Sequence, residues 1–469
     1  MPYPHHCMGR VMIHPARVQE LNGKPARKGA YVLYWMQASQ RAEWNHALEV
    51  SVEEANARSQ PLIAVFGLTD AFPEANLRHY RFMLEGLCET RESLAKRGVQ
   101  LVVRRGSPER VVPQLAGDAS LVVCDRGYLG VERVWRETLA REAPCRVTQV
   151  ESNVVVPVEA ASDKEEYAAA TLRPKIHRAL PHYLAPLRMR ALKASSLDLR
   201  FDSEPLDNVG ALADSLKIDH TVKPVAALRG GASNARARLS AFIEHDLNQY
   251  DKKSADPSLG CVSGLSPYLH FGQISPLEIA LAVRNAKHRR HAAKDAFLEQ
   301  IIVRRELAIN FVCFNKSYDT YDALPDWARK TLDEHRADRR DPVYSPSQLE
   351  NAETDDPYWN AAQTQMLRTG AMHNYMRMYW GKKILEWTRD PRRAFDLALR
   401  LNNKYEVDGR DPNGFAGVAW VFGKHDRPWK ERAVFGKVRY MNANGLKRKF
   451  DIDTYVRQVN ELPLPSEGA

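Results

Sequence analysis

The sequence predicts an amino-terminal α/β domain, a doubly wound parallel sheet, followed by a large all-α carboxyl-terminal domain. Three observations predict this fold. Up to about residue 150, short β-rich runs alternate with helical patterns, which is typical of a parallel sheet covered on both faces. After about residue 232, helical periodicity dominates. The chain has 469 residues, too many for one simple core, so two or three domains are expected.

Five runs rich in β-branched and aromatic residues are the predicted strands, and four helical stretches near 41–58, 75–97, 107–115 and 131–142 separate them. Doubly wound sheets bind ligands at the carboxyl ends of their strands, where the strand order reverses. No Gly-x-Gly-x-x-Gly or Gly-Lys-Ser/Thr loop occurs in this region, so an ordinary dinucleotide or P-loop site is disfavoured. The predicted strands span 30–35, 62–66, 99–103, 121–124 and 146–150.

Residues 151–230 form a mixed connection with Pro, Gly and Ser punctuation. Convincing strands disappear beyond it, and no internal repeat is visible. Long helices are predicted at 234–249, 276–287, 292–314, 360–369, 372–388 and 391–403.

Composition excludes several classes of protein. No apolar run approaches the ~18–20 residues of a membrane span, and no apolar signal core follows the first residues, so a cytoplasmic protein is expected. The six cysteines lie far apart without a Cys-x-x-Cys pair, which indicates reduced thiols and no zinc site. Cys7 beside two histidines is more typical of a frayed terminus than of a metal site. No metal ligand set is predicted.

The net charge of +10 favours an anionic partner, and its placement is more informative than its size. Between residues 424 and 449 there are nine Lys/Arg against two acids, with aromatic residues interleaved. Basic side chains hold phosphates and aromatic faces stack on exposed bases. A nucleic-acid surface and a merely solvated basic face both fit this pattern.

The segment 260–276 combines a loop with two helix starts. Ser263, Gly264 and Ser266 offer hydroxyls and backbone N–H groups that suit an anion such as a cofactor pyrophosphate. The local pattern favours a simpler interpretation, in which Ser266 and Ser275 cap helices that begin at the following prolines.

A stripe of Met, Tyr and Trp side chains marks the predicted helix 372–388. Trp380 and Trp387 are seven residues apart, or ~10 Å along the helix axis. Such a stripe is normally core, but Trp387 stands where the helix must end, which predicts a tryptophan path toward the surface. Arg377 faces another side and needs a carboxylate if buried, with Asp408 and Asp411 as candidates.

The predicted helix 297–306 carries Glu299, Gln300 and Arg304. These residues are expected to form surface pairs such as Gln300–Arg304, and a minority could face a polar cavity.

Together these motifs resemble the photolyase/cryptochrome flavoproteins, and specifically the class II cyclobutane pyrimidine dimer photolyases. The resemblance covers nearly the whole chain and includes long, specific segments. They are 29–41, 265–275, 377–387, 402–414, 437–441 and 447–450.

The resemblance implies an amino-terminal extension at 1–28, an α/β antenna domain at 29–190, a linker at 191–231 and a helical FAD- and DNA-binding domain at 232–462. It implies light-driven splitting of pyrimidine dimers flipped out of UV-damaged DNA by electron transfer from reduced FAD. It also allows an antenna chromophore, 8-hydroxy-5-deazaflavin, or none. No protein partner is evident, and a monomer is expected.

The resemblance also assigns roles by position. FAD contacts fall on Tyr250, Ser263, Gly264, Leu265 and Ser266, with Asn402 near flavin N5 and an Arg377–Asp408 pair beside the isoalloxazine. The photoreduction chain is Trp380, Trp359 and Trp387, with Trp380 nearest the flavin. Met378 and Trp420 are the dimer contacts. The DNA grip comprises Arg427, Arg439, Lys447, Arg448 and Lys449.

One position departs from the resemblance. The dimer-contacting glutamate of the family falls on Gln300, beside Glu299, and an amide cannot supply a proton to a dimer radical anion. Reduced rather than absent repair is therefore expected. A cryptochrome-like blue-light sensor is the alternative, and a light-independent nucleic-acid-binding protein is a third. Asn374, where glycine is expected, is a lesser departure.

Overall fold

The computed structural model describes residues 13–287 and 290–463, so Cys7 and its neighbouring histidines lie outside the described residues. A six-stranded sheet forms the amino-terminal part, in the order β1-β6-β5-β2-β3-β4. Strands β2 to β6 run parallel, which confirms the five predicted strands. The strands are β1 Val18–Glu20, β2 Tyr31–Trp35, β3 Leu62–Leu68, β4 Gln100–Arg105, β5 Ala119–Asp125 and β6 Arg146–Val150.

Strand β1 lies inside the segment 1–28 that was predicted to be only an extension. It pairs antiparallel with β6, with Val18 opposite Val150. The strand has three residues and is partly exposed, so it carries no hydrophobic alternation that the sequence could show.

Helices cover both faces of the sheet, because successive strand residues alternate between two apolar clusters. Val32 and Tyr34 pack with the first two helices, whereas Leu33 and Trp35 pack with the third and fourth. All five residues of β2 are buried, as expected for a central parallel strand.

The helices that follow confirm the predicted all-α second part. Two π-helical segments continue α-helices of this part without a break, namely Phe242–Asp246 and Glu299–Arg304. The α-helices are α1 His46–Arg58, α2 Leu77–Ala95, α3 Pro108–Ala116, α4 Gly130–Glu142, α5 Val158–Ala161, α6 Ala169–Tyr183, α7 Val209–Asp214, α8 Ala232–Ala241, α9 Tyr250–Lys253, α10 Ser266–His270, α11 Pro276–Asn285, α12 His291–Leu298, α13 Arg305–Phe314, α14 Asp326–Glu334, α15 Pro346–Glu350, α16 Pro357–Thr369, α17 Asn374–Trp387, α18 Pro391–Tyr405, α19 Pro412–Val421, α20 Ala443–Lys449 and α21 Ile452–Asn460.

Apolar packing crosses the predicted boundary at residue 190, which stays a prediction. Helix α6 buries Leu172 and Ile176 in a cluster with Ile302 and Leu307 of the helical part. The predicted linker 191–231 contains α7, which packs in the sheet's own cluster. Periodicity shows that a helix has an apolar face, but it does not show which core that face joins.

Buried arginines join the two parts. The Arg78 guanidinium donates to the carbonyl oxygens of Met366 (3.2 Å), Leu367 (2.6 Å) and Tyr405 (2.6 Å). The Arg41 guanidinium donates to Gly272 O at 2.8 Å. These bonds hold the start of α2 and the segment after β2 against the helical part.

None of the helices within the described residues is both long and apolar enough to cross a membrane.

Candidate functional site

Trp359, Trp380 and Trp387 form a row of indole rings in the helical core. The rings of Trp359 and Trp380 are stacked at 8°, with centroids 6.5 Å apart. Trp359 meets Trp387 edge-on at 5.6 Å. The indole N–H of Trp359 also donates to Trp380 O at 2.9 Å. The order along the row is therefore Trp380, Trp359, Trp387, with the middle ring supplied by α16 and the outer two by α17.

Trp387 is buried, which corrects the prediction that it lies near the surface. Its exposed fraction is 4%. The ring of Tyr344 packs against it at 5.0 Å, and the Lys383 ammonium lies 5.2 Å from its centroid. Helix α17 does end at Trp387, but the segment before α15 folds back over the ring.

Arg377 pairs with Glu406 rather than with the predicted Asp408. Its Nη2 lies 3.1 Å from Glu406 Oε1, and Glu406 is 1% exposed. Asp408 acts on the Arg377 guanidinium through its charge. Burial opposes the charge of Arg377, but Glu406 and Asp408 outweigh it and raise the Arg377 pKa, so the guanidinium stays a cation.

This buried cluster has unused polar atoms. Within the described part of the chain, Arg377 Nε and both carboxylate oxygens of Glu406 make no hydrogen bond. Buried polar groups are nearly always hydrogen-bonded, so the cluster is suited to a polar ligand placed against it. Burial raises the pKa of Glu406, with Arg377 opposing the rise and Asp408 adding to it.

Asn402 lies on α18 and is 2% exposed. Its Nδ2 donates to Asn403 Oδ1 at 3.2 Å. A Cβ on Gly414 would stand 3.0 Å from the same Nδ2, so the glycine lets the start of α19 approach the amide closely.

The loop Ser263–Ser266 is shaped around Gly264. This residue has φ +60°, in the left-handed region, and a Cβ there would lie 2.5 Å from the Arg238 guanidinium. A cation beside a loop with two serine hydroxyls suits an anionic group. Ser266 is the first residue of α10 and forms no side-chain cap, so the capping interpretation is wrong for Ser266. It is confirmed for Ser275, which accepts from Leu277 N at 3.2 Å.

Tyr250 lies close to the start of this loop. Burial raises its pKa to about 12, and the neighbouring Cys261 thiol adds to the rise. Its ring packs edge-on against Phe242 at 5.7 Å and Phe297 at 5.2 Å. Leu265 is buried between this aromatic group and the rest of the core.

Trp420 and the π-helical segment Glu299–Arg304 meet at a partly exposed surface. Arg304 Cζ lies 5.8 Å from the Trp420 ring centroid. Gln300 is exposed on the same segment, and Met378 on α17 is half-buried. The predicted pair Gln300–Arg304 is absent from the described residues. The five-residue spacing of a π-helix brings Glu299 to Arg304 instead, at 3.3 Å.

Glu299 is held by a second arginine. Its carboxylate accepts from Arg173 Nε at 3.0 Å and from Arg173 Nη2 at 2.8 Å. Burial raises the Glu299 pKa, but Arg173 and Arg304 outweigh that effect and hold it below its usual value. Glu299 is therefore ionised and can only accept hydrogen bonds.

The predicted DNA grip lies on the surface. The Arg439 guanidinium stacks over Trp429 at 4.9 Å, and Trp429 is 44% exposed. Lys424, which the charge pattern included, is 8% exposed and ion-paired with Glu165, so it is not part of this surface. All five residues of the predicted DNA grip are exposed, namely Arg427, Arg439, Lys447, Arg448 and Lys449.

A cavity separates the sheet from the helical part at the carboxyl ends of the strands. About 110 Å³ of it can hold the centres of water-sized molecules, and the cavity is partly open to solvent. The strand order reverses at β2, between β5 and β3, which is where the sequence predicted a ligand crevice. The lining is mostly apolar or aromatic, and it includes Gln37, Phe66, Phe72, Asn153, Phe271, Arg305 and Ile309.

Charged groups stand on the helical side of this cavity. His270 Nδ1 lies 3.4 Å from Asp411 Oδ2. Burial alone would raise the Asp411 pKa, but the hydrogen bond and charge of His270 lower it to about 2. Burial lowers the pKa of Arg410 to about 10, and its Nε makes no hydrogen bond within the described residues.

Sequence reasoning did not single out Glu406, Arg238 or Tyr344. Glu406 stands two residues before Asp408. It becomes the partner of Arg377 only because the chain turns inward at the end of α18. Arg238 belongs to an Ala-Arg-Ala-Arg pattern that is typical of any surface helix. No sequence signal places either beside its partner.

The comparisons with known proteins agree with this architecture. A family model described as DNA photolyase matches residues 32–193. A deoxyribodipyrimidine photo-lyase of Methanothermobacter thermautotrophicus is 54% identical over 452 residues, covering 96% of this chain and 99% of that one. The chain belongs to the DNA photolyase family. The photolyase of this name from Potorous tridactylus is 39% identical over 435 residues, covering 91% of this chain and 81% of that one.

A solved structure shows the same fold. The class III photolyase of Agrobacterium tumefaciens superposes with a TM-score of 0.74 at 21% identity, covering 92% of this chain and 87% of that one. As a member of this family the chain is an enzyme, a photo-lyase of DNA repair that binds FAD.

The residues present fit that cofactor. The unused polar atoms of Arg377 and Glu406 can meet the polar edge of a flavin ring. Arg238 beside Gly264 places a cation where a diphosphate can be held. Among the described residues, no three His, Cys, Asp or Glu side chains are grouped so that they could hold a metal ion.

Proposed function

We propose that the chain is a class II photolyase that repairs cyclobutane pyrimidine dimers in DNA in a light-dependent reaction. The observation that carries this proposal is the row of three indole rings on α16 and α17. It begins one helical turn from the buried Arg377–Glu406 cluster and ends at Trp387.

FAD is proposed to lie between this cluster and the loop before α10. Arg377, with Glu406 and Asp408, would hold the flavin ring, and Asn402 would face its N5 edge. Tyr250, Ser263, Gly264, Leu265 and Ser266 would hold the rest of the cofactor, aided by Arg238. When bound in its reduced form, FAD supplies an electron to the dimer on absorbing light and takes it back after the ring has opened.

The indole row is proposed to serve photoreduction of the oxidised cofactor. Trp380 lies nearest to Arg377 in sequence and on the same helix, and the stacked ring of Trp359 continues the path to Trp387. Contacts of 6.5 and 5.6 Å between ring centroids make the path continuous.

The lesion is proposed to be flipped against Trp420 and Met378, with Gln300 at its edge. A dimer stacks and pairs poorly, so its extrusion from the duplex costs less than that of a normal base. The exposed basic residues Arg427, Arg439, Lys447, Arg448 and Lys449 would hold the phosphates on either side.

The cavity at the ends of the strands is proposed to take the antenna chromophore. Its aromatic and apolar lining suits a flat ring system, and Arg410 with the His270–Asp411 pair can hold polar edges. The 8-hydroxy-5-deazaflavin chromophore is the candidate, and a purified protein without a second chromophore is the alternative. The absorption spectrum of the extracted cofactors distinguishes the two.

Gln300 favours a second candidate function, a blue-light sensor resembling cryptochromes with weak or lost repair. The amide is exposed at the proposed lesion site, and the neighbouring Glu299 is committed to Arg173 and Arg304. No carboxylic acid therefore replaces the missing one at this position.

One experiment separates these functions. Fully reduced protein is mixed with a dimer-containing oligonucleotide, and dimer loss is measured under blue light and in a dark control. Loss of dimer only in the light supports the photolyase. A flavin that bleaches in light without any dimer loss supports the sensor.

A monomer in the cytoplasm stays a prediction, and size-exclusion chromatography tests whether the protein is a monomer.

A further inference from the structure

We propose that Arg304 places a fixed positive charge against the flipped dimer and stabilises it while it carries the extra electron. The proposal rests on the proposed function, in which Trp420 forms a wall of the lesion site. Arg304 Cζ stands 5.8 Å from the centroid of that ring, a distance at which a guanidinium is attracted to an aromatic face. A base that is brought against Trp420 therefore comes close to this guanidinium.

Two successive ion pairs hold Arg304 in position. Its Nε lies 3.3 Å from Glu299 Oε1, and Glu299 is in turn held by two bonds from Arg173, at 3.0 and 2.8 Å. The π-helical segment sets the five-residue spacing that brings Glu299 below Arg304. The guanidinium is thus anchored through one side.

The other side of the guanidinium remains available. Within residues 13–287 and 290–463, neither Nη group of Arg304 donates a hydrogen bond to the protein. The side chain is 37% exposed, so a ligand can reach these groups. Two N–H donors in a planar fork match the carbonyl edge of a pyrimidine.

Other polar side chains at this place cannot supply the same stabilisation. Gln300 is neutral, and Glu299 is ionised and saturated by arginines. His425, whose titration is affected by Arg304, has its pKa lowered to about 4, mainly by burial, and is therefore neutral at physiological pH. Of the four side chains Gln300, Glu299, His425 and Arg304, only that of Arg304 is a cation beside Trp420.

The overall reaction consumes no proton, so a fixed charge can assist it whether or not a proton donor stands at position 300. The dimer gains one electron, its two cyclobutane C–C bonds break, and the electron leaves again, so electrons and protons balance over the cycle. While the electron is present, the negative charge lies largely on the pyrimidine carbonyl oxygens. A fixed cation beside them favours this state over premature loss of the electron. Arg304 would thereby raise the fraction of absorbed photons that lead to repair.

The test compares Arg304→Gln and Arg304→Lys with the wild-type protein. The repair quantum yield is measured in fully reduced protein saturated with a dimer-containing oligonucleotide, and affinity for undamaged duplex DNA is measured alongside. Arg392→Gln is the matched control, because Arg392 also stacks over an aromatic ring, Tyr321 at 4.6 Å, and pairs with a carboxylate, Asp322 at 3.0 Å, away from the site. Light-driven reduction of the oxidised flavin checks that each variant is folded and loaded.

Arg304→Gln is expected to lower the repair quantum yield by roughly threefold or more, Arg304→Lys by less, and Arg392→Gln not at all. Affinity for undamaged DNA should stay unchanged in all three. A wild-type quantum yield in Arg304→Gln overturns the proposal. So does a loss of affinity for undamaged DNA with an unchanged yield, because Arg304 would then be a phosphate contact. If the wild-type protein itself repairs no dimers, the proposed function fails, and this proposal fails with it.

Discussion

Replacing Trp359 by phenylalanine tests whether the indole row conducts electrons. Trp359 is fully buried and contacts both other rings of the row. Phenylalanine keeps an aromatic ring in place but is harder to oxidise and lacks the N–H that bonds to Trp380 O. Photoreduction of the oxidised flavin should therefore stop, while repair by chemically reduced protein continues.

The structure sets the gap that electrons would have to cross in Trp359→Phe and the loss of stability in this variant. Without an oxidisable middle ring, two steps of 6.5 and 5.6 Å become one gap between Trp380 and Trp387. Seven residues of helix set that gap at about 10 Å. The smaller ring and the lost hydrogen bond together cost about 2–3 kcal/mol of unfolding free energy. That is less than the ~5–15 kcal/mol of a typical domain, so the variant should fold.

The assay is the bleaching of the oxidised flavin spectrum under blue light with an external reductant. Trp135→Phe is the control, because Trp135 is also buried, at 5% exposure, but lies in the α/β part. It should photoreduce normally. Wild-type photoreduction in Trp359→Phe would refute the conducting role of the row. Loss of repair by the chemically reduced variant would mean that Trp359 is needed for the structure of the site.

Four further outcomes are expected. Trp380→Phe should block photoreduction but spare repair by chemically reduced protein, and loss of both would make Trp380 structural. Gln300→Glu should raise the repair quantum yield, and an unchanged or lower yield would contradict the role given to the amide. Arg439→Gln should weaken DNA binding and reduce the slope of log affinity against log salt by about one, whereas an unchanged slope would remove Arg439 from the DNA surface. Burial raises the pKa of Glu306 from its model-compound value of 4.5 to about 8, so the folded protein binds this proton more tightly than the unfolded chain. The unfolding free energy should fall between these pH values by up to ~1.4 kcal/mol per pH unit, and chemical denaturation should show a smaller fall in Glu306→Gln.

Local pattern predicted most of the fold. The strands β2 to β6 and the long helices α16 to α18 carry strong periodicity, and the structure confirms them. Strand β1 was missed because its three partly exposed residues show no hydrophobic alternation. The packing of α6 was missed because an apolar stripe does not show which core it joins. Tertiary packing determines both the pairing of β1 and the position of α6.

The site shows the same division. The stripe on α17 predicted that Trp380 and Trp387 share a face, but only the fold inserts Trp359 between them. Arg377 was expected to need a carboxylate, and the sequence offered aspartates in a turn rather than Glu406 at the end of a helix. Residue type predicted that a carboxylate would pair with a buried Arg377, whereas the identity of that carboxylate depended on chain geometry.

The four tryptophans of the 355–420 segment differ in how deeply they are buried. Trp359, Trp380 and Trp387 belong to the main apolar core of the helical part, so they stabilise the fold whatever else they do. Trp420 lies outside that core and is partly exposed beside Arg304. This exposure fits the ligand surface that we propose for Trp420.

The most direct test of the account is dimer repair by the purified, fully reduced protein. A dimer-containing oligonucleotide is exposed to blue light with the protein, and an identical sample is kept dark. Restoration of intact pyrimidines in the light sample alone, with many dimers repaired per protein molecule, is the predicted result. No dimer loss in the light by protein that contains fully reduced FAD would contradict the account.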